Sequence, residues 1–167
     1  YQEFDIAEPA DFSRNSKGRN AQFLAGRLAA TSVLEDIGSD SFVLTTGNHR
    51  EPLWPAGYIG SISHQGQSSV AIARRRDICA SAKTFPGSSV SPGSLGLGID
   101  YQVEIDEQES QQIASIVASP RELSYLKRSL PELSVAQLLT LVFSAKESFF
   151  KAAFDSVGCY FDFDAVS

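Results

Sequence analysis

Apolar and polar positions alternate without interruption through "LGLGIDYQVEI". Leu95, Leu97, Ile99, Tyr101, Val103 and Ile105 fall on one side of an extended chain, and Gly96, Gly98, Asp100, Gln102 and Glu104 on the other. The pattern predicts a strand with one apolar side. Upstream, "RNAQFLAGRLAATSVLEDIG" has helical spacing and predicts an amphipathic helix from about Asn20 to Asp36, stopped by Gly38. Phe23, Leu24, Leu28 and Val33 or Leu34 would form its buried stripe. "DSFVLTTG" predicts a strand and "NHREPLWPAGYIG" a Pro/Gly-rich loop. "GSISH", "QGQ" and "SSVAIARR" then read as strand, tight turn and strand, a hairpin with His64 at its tip.

Residues 81–94, "SAKTFPGSSVSPGS", are the most loop-like segment and are expected to separate two halves. After the alternating strand come a polar helix around Asp106 to Ala118 and a second helix at "SPRELSYLKRSL", with Ser119 as N-cap and Pro120 at the first helical position. A longer helix follows from about Ser134 to Phe154. This order predicts an α+β fold with mostly antiparallel pairing.

The chain has 167 residues, enough for one domain or for two small halves sharing a core. With 43% hydrophobic residues, 20% charged residues and eleven Phe, it has the composition of a globular protein, which excludes fold-level disorder. No run approaches the ~18 apolar residues that span a bilayer, and no signal pattern opens the chain, so a cytoplasmic setting is expected. Cys79 and Cys159 are far apart with no metal spacing around them, and are expected to be buried thiols. A net charge of −6 argues against general affinity for nucleic acid or an anionic membrane surface. The sequence opens at Tyr1 and stops at "FDFDAVS", which alternates like a strand just beginning, so both ends are expected to be trimmed.

Candidate chemistry changes the picture in three places. In "FSAKESFFKAAF", helical spacing sets Ser144, Glu147, Ser148 and Lys151 in one stripe, and Val142, Ala145, Phe149 and Ala152 in an opposing apolar one. Phe143, Phe150 and Phe154 would widen the buried side. From spacing alone, a solvated Glu147–Lys151 ion pair is the simpler account. On the alternating strand, Asp100, Gln102 and Glu104 would be either a solvated face or oxygen ligands. Gly and Asp are poor strand formers, and carboxylates on a strand joined by a Glu from a helix suit a hard cation, naturally magnesium.

The third place is basic. Arg27, flanked by "FLAG" and "LAA", must snorkel, pair with a carboxylate or bind an anion. Arg50 is a second anion contact or a loop charge, and Arg74 to Arg76 read as a solvated strand end. His64, just before a turn, would ordinarily be an exposed turn residue, with His49 the chain's other histidine.

Together, "FLAGRLAA", "GNHREPLWPAGYIGSISH", "LGLGIDYQVEI" and "FSAKESFFKA" resemble, in this order, the 4'-phosphopantetheinyl transferase superfamily. The nearer branch is the one activating siderophore and other nonribosomal peptide synthetases, of the enterobactin-synthase component D type. The resemblance runs from about Arg19 to Phe154. It implies Mg-dependent transfer of the 4'-phosphopantetheine arm of coenzyme A to a serine of an apo acyl or peptidyl carrier protein, releasing 3',5'-ADP.

Residue by residue, the resemblance implies magnesium at Asp100 and Glu147, with Gln102 standing where the family usually has Glu. It implies Glu147 and Lys151 in the reaction, Lys146 at the phosphates, and Arg27, Arg50, Ser63 and His64 at the 3'-phosphate and adenosine end of coenzyme A. The implied fold is two similar α/β halves in a pseudo-twofold arrangement, each with a small, mostly antiparallel sheet and a packed helix, with the active site in the cleft between them. Residues 1–94 would be the N-terminal half, contacting coenzyme A. Residues 95–167 would be the C-terminal half, holding the metal site and catalytic helix and truncated at its end. The family form works as a monomer.

Gln102 keeps a carbonyl oxygen but removes one negative charge, which should weaken metal binding. Glu104 lies ~6.6 Å further along an extended chain and could serve only through a water or a bend. Gln102 therefore keeps a second reading open, a relative that binds coenzyme A or carrier protein without turnover. Carrier domains are acidic, as is this chain, so docking is expected on a local surface at Tyr125 to Leu130, with Lys127 and Arg128.

Overall fold

Ser16 opens the first helix by accepting the Arg19 N–H on its hydroxyl at 3.2 Å. The computed structural model of this chain describes residues 6, 8, 12–41, 43–48, 50–76 and 96–157. The expectations for the 81–94 segment, His49, Cys79, Cys159 and "FDFDAVS" lie outside the described residues. Helix α1 covers Lys17–Asp36, starting earlier than its apolar spacing predicts. It stops where expected, with Gly38 at φ 67° donating its N–H to the Glu35 carbonyl and Arg75 bonding the Gly38 carbonyl at 3.0 Å.

The buried stripe of α1 is Gly26, Arg27, Ala30 and Leu34, rotated from the predicted one, with Phe23, Leu24 and Leu28 only half-buried. Gly26 explains the rotation. A Cβ there would stand 2.9 Å from the Ile62 side chain, so the glycine lets α1 close onto the hairpin along this line.

Of the strand predicted at "DSFVLTTG", only β1 (Thr45–Thr46) pairs among the described residues, antiparallel to β2 (Pro52–Leu53). The hairpin forms as predicted, from β3 (Tyr58–Gln65) and β4 (Ser68–Arg75), with His64 opposite Ser69 and Gly66 at φ 59° in the turn. Period-2 geometry divides β3 between two neighbours. Ile62 packs towards α1 with Ala30, Leu34 and Leu44, and Ile59, Ser61 and Ser63 are buried on the other face.

The segment predicted as a strand runs through residues 96–105 without a ladder partner among the described residues. Side chains hold its backbone instead. Ile99 and Tyr101 donate their N–H groups to the Ser61 and Ser63 hydroxyls, each at 3.1 Å, and Ile105 donates to Thr140 at 3.1 Å. On its apolar side, Tyr101 and Val103 are 37% and 56% exposed, while Leu97, Ile99 and Ile105 are half-buried. The glycine face is the one laid against a helix. A methyl on Gly96 would overlap the Ala152 carbonyl, and one on Gly98 the Ser148 carbonyl.

That helix is α4 (Val135–Val157), preceded by α2 (Glu107–Val117) and α3 (Pro120–Ser129). Asp106 caps α2, Ser119 and Glu122 form a capping box on α3 with Pro120 at its start, and Ser134 and Gln137 bond each other reciprocally at the start of α4. Val117, Ala118, Leu139 and Val142 make the core shared by α2, α3 and α4. Within the described residues the architecture is α+β, four helices with two small antiparallel sheets. No helix among them is long and apolar enough to cross a membrane.

Lys146 belongs to this packing. It is 7% exposed and pairs with Glu122 at 3.0 Å, while the other Glu122 oxygen caps α3 through the Ser119 N–H at 2.8 Å. Glu122→Gln keeps an acceptor for the cap but takes the opposite charge away from the buried Lys146 ammonium. Breaking a buried pair costs ~3–5 kcal/mol, and Glu122, 24% exposed, puts the expected loss nearer 2. Urea unfolding should show that loss.

Candidate active site

Two adjoining cavities flank β3. The first, about 210 Å³, is walled by Arg19, Phe23, Arg27, Thr46, Arg50 and His64. Arg27 is 4% exposed, lies 4.9 Å from the Phe23 ring centroid and donates from Nη2 to Thr46 at 3.0 Å. Burial pulls its pKa down to about 10, which leaves it charged at neutral pH. Its Nη1 is buried without a partner among the described residues. A buried, half-satisfied guanidinium is costly unless an anion completes it.

Arg50 enters both cavities from the loop between β1 and β2, where it takes φ 67°, a left-handed conformation that non-glycine residues rarely adopt. His64 stays below its ordinary pKa through burial, then through Lys151 and Arg19, with Asp100 acting weakly in the opposite sense. It therefore stands within electrostatic reach of both the basic cavity and the acidic group behind it.

The second cavity, also about 210 Å³, is lined mainly by Arg50, Trp54, Leu97, Phe150, Lys151 and Phe154. At its edge, the Lys151 ammonium meets Asp100 Oδ1 at 2.7 Å, the Ile99 carbonyl at 3.1 Å and the Ser63 hydroxyl at 3.2 Å. Ser63 in turn donates to the same Oδ1 at 2.9 Å. Burial pushes the Asp100 carboxyl up, but the Lys151 hydrogen bond and charge, with Ser63 and Gln102, outweigh it and hold the group below its ordinary value. Asp100 Oδ2 is buried with no partner among the described residues. Glu147 is pushed up by burial, against the pull of Lys151 and with a further push from Asp100.

The inward face of α4 corrects the solvated-pair account. Ser144 donates to the Asp100 carbonyl at 3.3 Å, Ser148 and Ala152 touch the glycine segment, and Lys151 reaches through to Asp100. Phe149, predicted in the buried stripe, is 52% exposed. The polar stripe packs because the two glycines let the 96–100 segment lie directly on it, while Val142 of the apolar stripe is buried in the core with α2 and α3.

The predicted residues thus fall into groups. Arg27, Arg50 and His64 meet at the first cavity, and Asp100 and Lys151 meet at β3, with Gln102 and Glu147 beside Asp100. Lys146, expected at the phosphates, is held by Glu122 on the far side of α4. Ser63, expected at coenzyme A, has its hydroxyl bonded to Asp100 and Lys151. Glu104 is exposed and accepts from Gln137 at 3.3 Å, away from Asp100. Among the described residues no three His, Cys, Asp or Glu side chains cluster as a complete ion site.

Sequence reasoning missed Thr46, Ser61 and Arg19. Thr46 carries no local signal, but Ser61 shares the strand face of Ser63, and Arg19, Phe23 and Arg27 recur at i, i+4, i+8 on one helix face.

A family model described as the 4'-phosphopantetheinyl transferase N-terminal domain matches residues 7–74, and one described as the 4'-phosphopantetheinyl transferase superfamily matches residues 96–167. The chain belongs to the 4'-phosphopantetheinyl transferase superfamily. It is similar to proteins from several bacteria. Enterobactin synthase component D of Salmonella typhimurium is 34% identical over 139 residues, 83% of this chain and 50% of that protein. The protein of that name from Escherichia coli is 33% identical over 144 residues, 86% of this chain and 59% of that one. The 4'-phosphopantetheinyl transferase Svp of Streptomyces mobaraensis is 30% identical over 158 residues, 94% of this chain and 57% of that one. The chain thus spans about half the length of these superfamily relatives.

Proposed function

We propose that this chain carries the coenzyme A site and transfer centre of a 4'-phosphopantetheinyl transferase that modifies carrier domains of nonribosomal peptide, siderophore or related synthetases. One observation carries the reading. A single strand, β3, brings the Arg27, Arg50 and His64 cavity next to the Asp100–Lys151 pair. A 3'-phosphate in the first cavity would complete Arg27 Nη1 and meet Arg50 and His64.

In this reading the halves are residues 1–94 and 95–167, arranged about a pseudo-twofold with the cleft between them. The gap between the two family matches, 74 to 96, supports that division. The protein works in the cytoplasm as a monomer and meets its carrier domain near the exposed Tyr125, Lys127 and Arg128.

The donor set fits a hard cation, because Asp100 Oδ2 is a buried acceptor without a partner among the described residues and Glu147, raised by burial, gains from a positive neighbour. Asp100, Gln102 and Glu147 would hold magnesium, which when bound supplies charge stabilisation to the pyrophosphate. The chain's own groups do the rest. Glu147 accepts the proton of the carrier serine, directly or through a water, as the serine oxygen bonds the β-phosphorus. The bond from that phosphorus to the bridging oxygen breaks, 3',5'-ADP leaves, and Lys151 neutralises its developing charge.

Intact-mass analysis of apo carrier domains incubated with coenzyme A and magnesium tests this directly. A gain of one phosphopantetheine arm, lost with EDTA and in Glu147→Ala, is expected. No gain on any carrier, with coenzyme A still bound, would favour the non-catalytic alternative and make Gln102→Glu the next protein to assay.

Arg27→Met should raise KM for coenzyme A by ~10–100-fold, the worth of a charge-assisted hydrogen bond, with a much smaller change in kcat. It should also flatten the preference for coenzyme A over 3'-dephospho-coenzyme A. Steady-state kinetics with both substrates checks each point.

A further inference from the structure

A serine hydroxyl has one proton to donate and two lone pairs to accept with. In Ser63, 4% exposed, all three are used inside the protein. The proton goes to Asp100 Oδ1, and the lone pairs receive the Tyr101 N–H at 3.1 Å and the Lys151 ammonium at 3.2 Å. A phosphate oxygen only accepts, so the hydroxyl has nothing left to give it.

The Asp100 carboxylate shows the other side of this arrangement. Ser63 and Lys151 converge on the same oxygen, Oδ1, and leave Oδ2 buried and unpartnered among the described residues. Without the Ser63 bonds, neither the carboxylate rotation nor the backbone at Tyr101 would be tied to β3. Ser61 adds a second tie one step along the same face, accepting the Ile99 N–H at 3.1 Å.

Resting on the transferase reading above, we propose that Ser63 is a positioning residue of the transfer centre and not a coenzyme A ligand. Its hydroxyl fixes Asp100 with Oδ1 towards Lys151 and Oδ2 free, and registers the Gly-Ile-Asp segment of one half against the strand of the other.

The test compares Ser63→Ala and Ser63→Thr with the unaltered chain, using coenzyme A and 3'-dephospho-coenzyme A. Kinetics are paired with calorimetric titration of coenzyme A without added metal. Ser63→Ala should lower kcat by ~10–100-fold, as loss of an orienting partner typically does. Coenzyme A affinity and the penalty for lacking the 3'-phosphate should stay within about twofold, and Ser63→Thr should recover most of kcat. A tenfold weaker coenzyme A affinity with the 3'-phosphate preference erased would make Ser63 a ligand and overturn the proposal, as would an unchanged kcat. Should the alanine variant not fold, Ser63→Cys, which keeps a weaker donor, is measured in its place with the same outcomes. Inactivity of the unaltered chain would count against the transferase reading. With that chain active, only the variants bear on Ser63.

Discussion

Asp100→Ala is expected to lower kcat for phosphopantetheine transfer by at least ~10²–10³-fold, the cost of losing a preorganised charge at a developing phosphate centre, with little change in KM for coenzyme A. The side chain joins the Lys151 ammonium at 2.7 Å, takes the Ser63 proton and keeps one buried oxygen open. Alanine removes all three functions at once. It also leaves Lys151 without its carboxylate, and breaking a buried pair costs ~3–5 kcal/mol. Lys151 keeps 26% of its exposure, so a loss of about 2 kcal/mol is the expectation. Single-turnover intact-mass measurements and urea unfolding separate the two effects. Transfer within fivefold of the unaltered chain would place the centre elsewhere.

Gly98→Ala should be nearly as damaging without touching any polar group. The added methyl would overlap the Ser148 carbonyl, a backbone atom of a helix that cannot yield as a flexible side chain would. Overpacking of this kind costs ~1–3 kcal/mol. The larger consequence is geometric, because lifting the segment from α4 separates Asp100 from Lys151, and a displacement of ~1 Å can cost ~10²-fold in rate. Gly18→Ala is the control. Only the Ser16 hydroxyl lies near its Cβ position, at 4.0 Å, and α1 should be unchanged or slightly firmer. Melting temperature and kcat for both variants decide the matter; equal behaviour would show that the close approach at Gly98 is not required.

The two glycines also show where sequence reading stopped. Alternation grouped Asp100, Gln102 and Glu104 on one side, but period 2 says nothing about what each face meets, and Glu104 bonds Gln137 instead. The glycine side meets helix α4 at Gly96 and Gly98, while Tyr101 and Val103 on the apolar side are exposed. The hairpin was legible because turn chemistry and alternation agree at Gly66, and α3 because Ser119, Pro120 and Glu122 each announce a helix start. Of the strand expected at "DSFVLTTG", Thr45 and Thr46, just after its apolar residues, are the ones that pair with β2 among the described residues.

At the site, Arg27 could be singled out as an anomaly in an apolar helix, and its burial agrees with that. Its contact with Thr46 spans 19 positions of sequence, a distance that no local pattern encodes. Lys146 and Lys151 look alike on paper. Five positions apart on one helix, they face opposite ways, and only packing shows that one meets Glu122 and the other Asp100.

Arg27 Nη1 and Asp100 Oδ2 are buried polar atoms without a partner among the described residues. A chain folded with such deficits is least durable when empty. Anything that completes them binds the folded form alone, and by mass action a ligand at 100 times its Kd deepens the native well by ~2.7 kcal/mol. On the proposed function, the lifetime of this chain against proteolysis is therefore expected to follow the supply of coenzyme A.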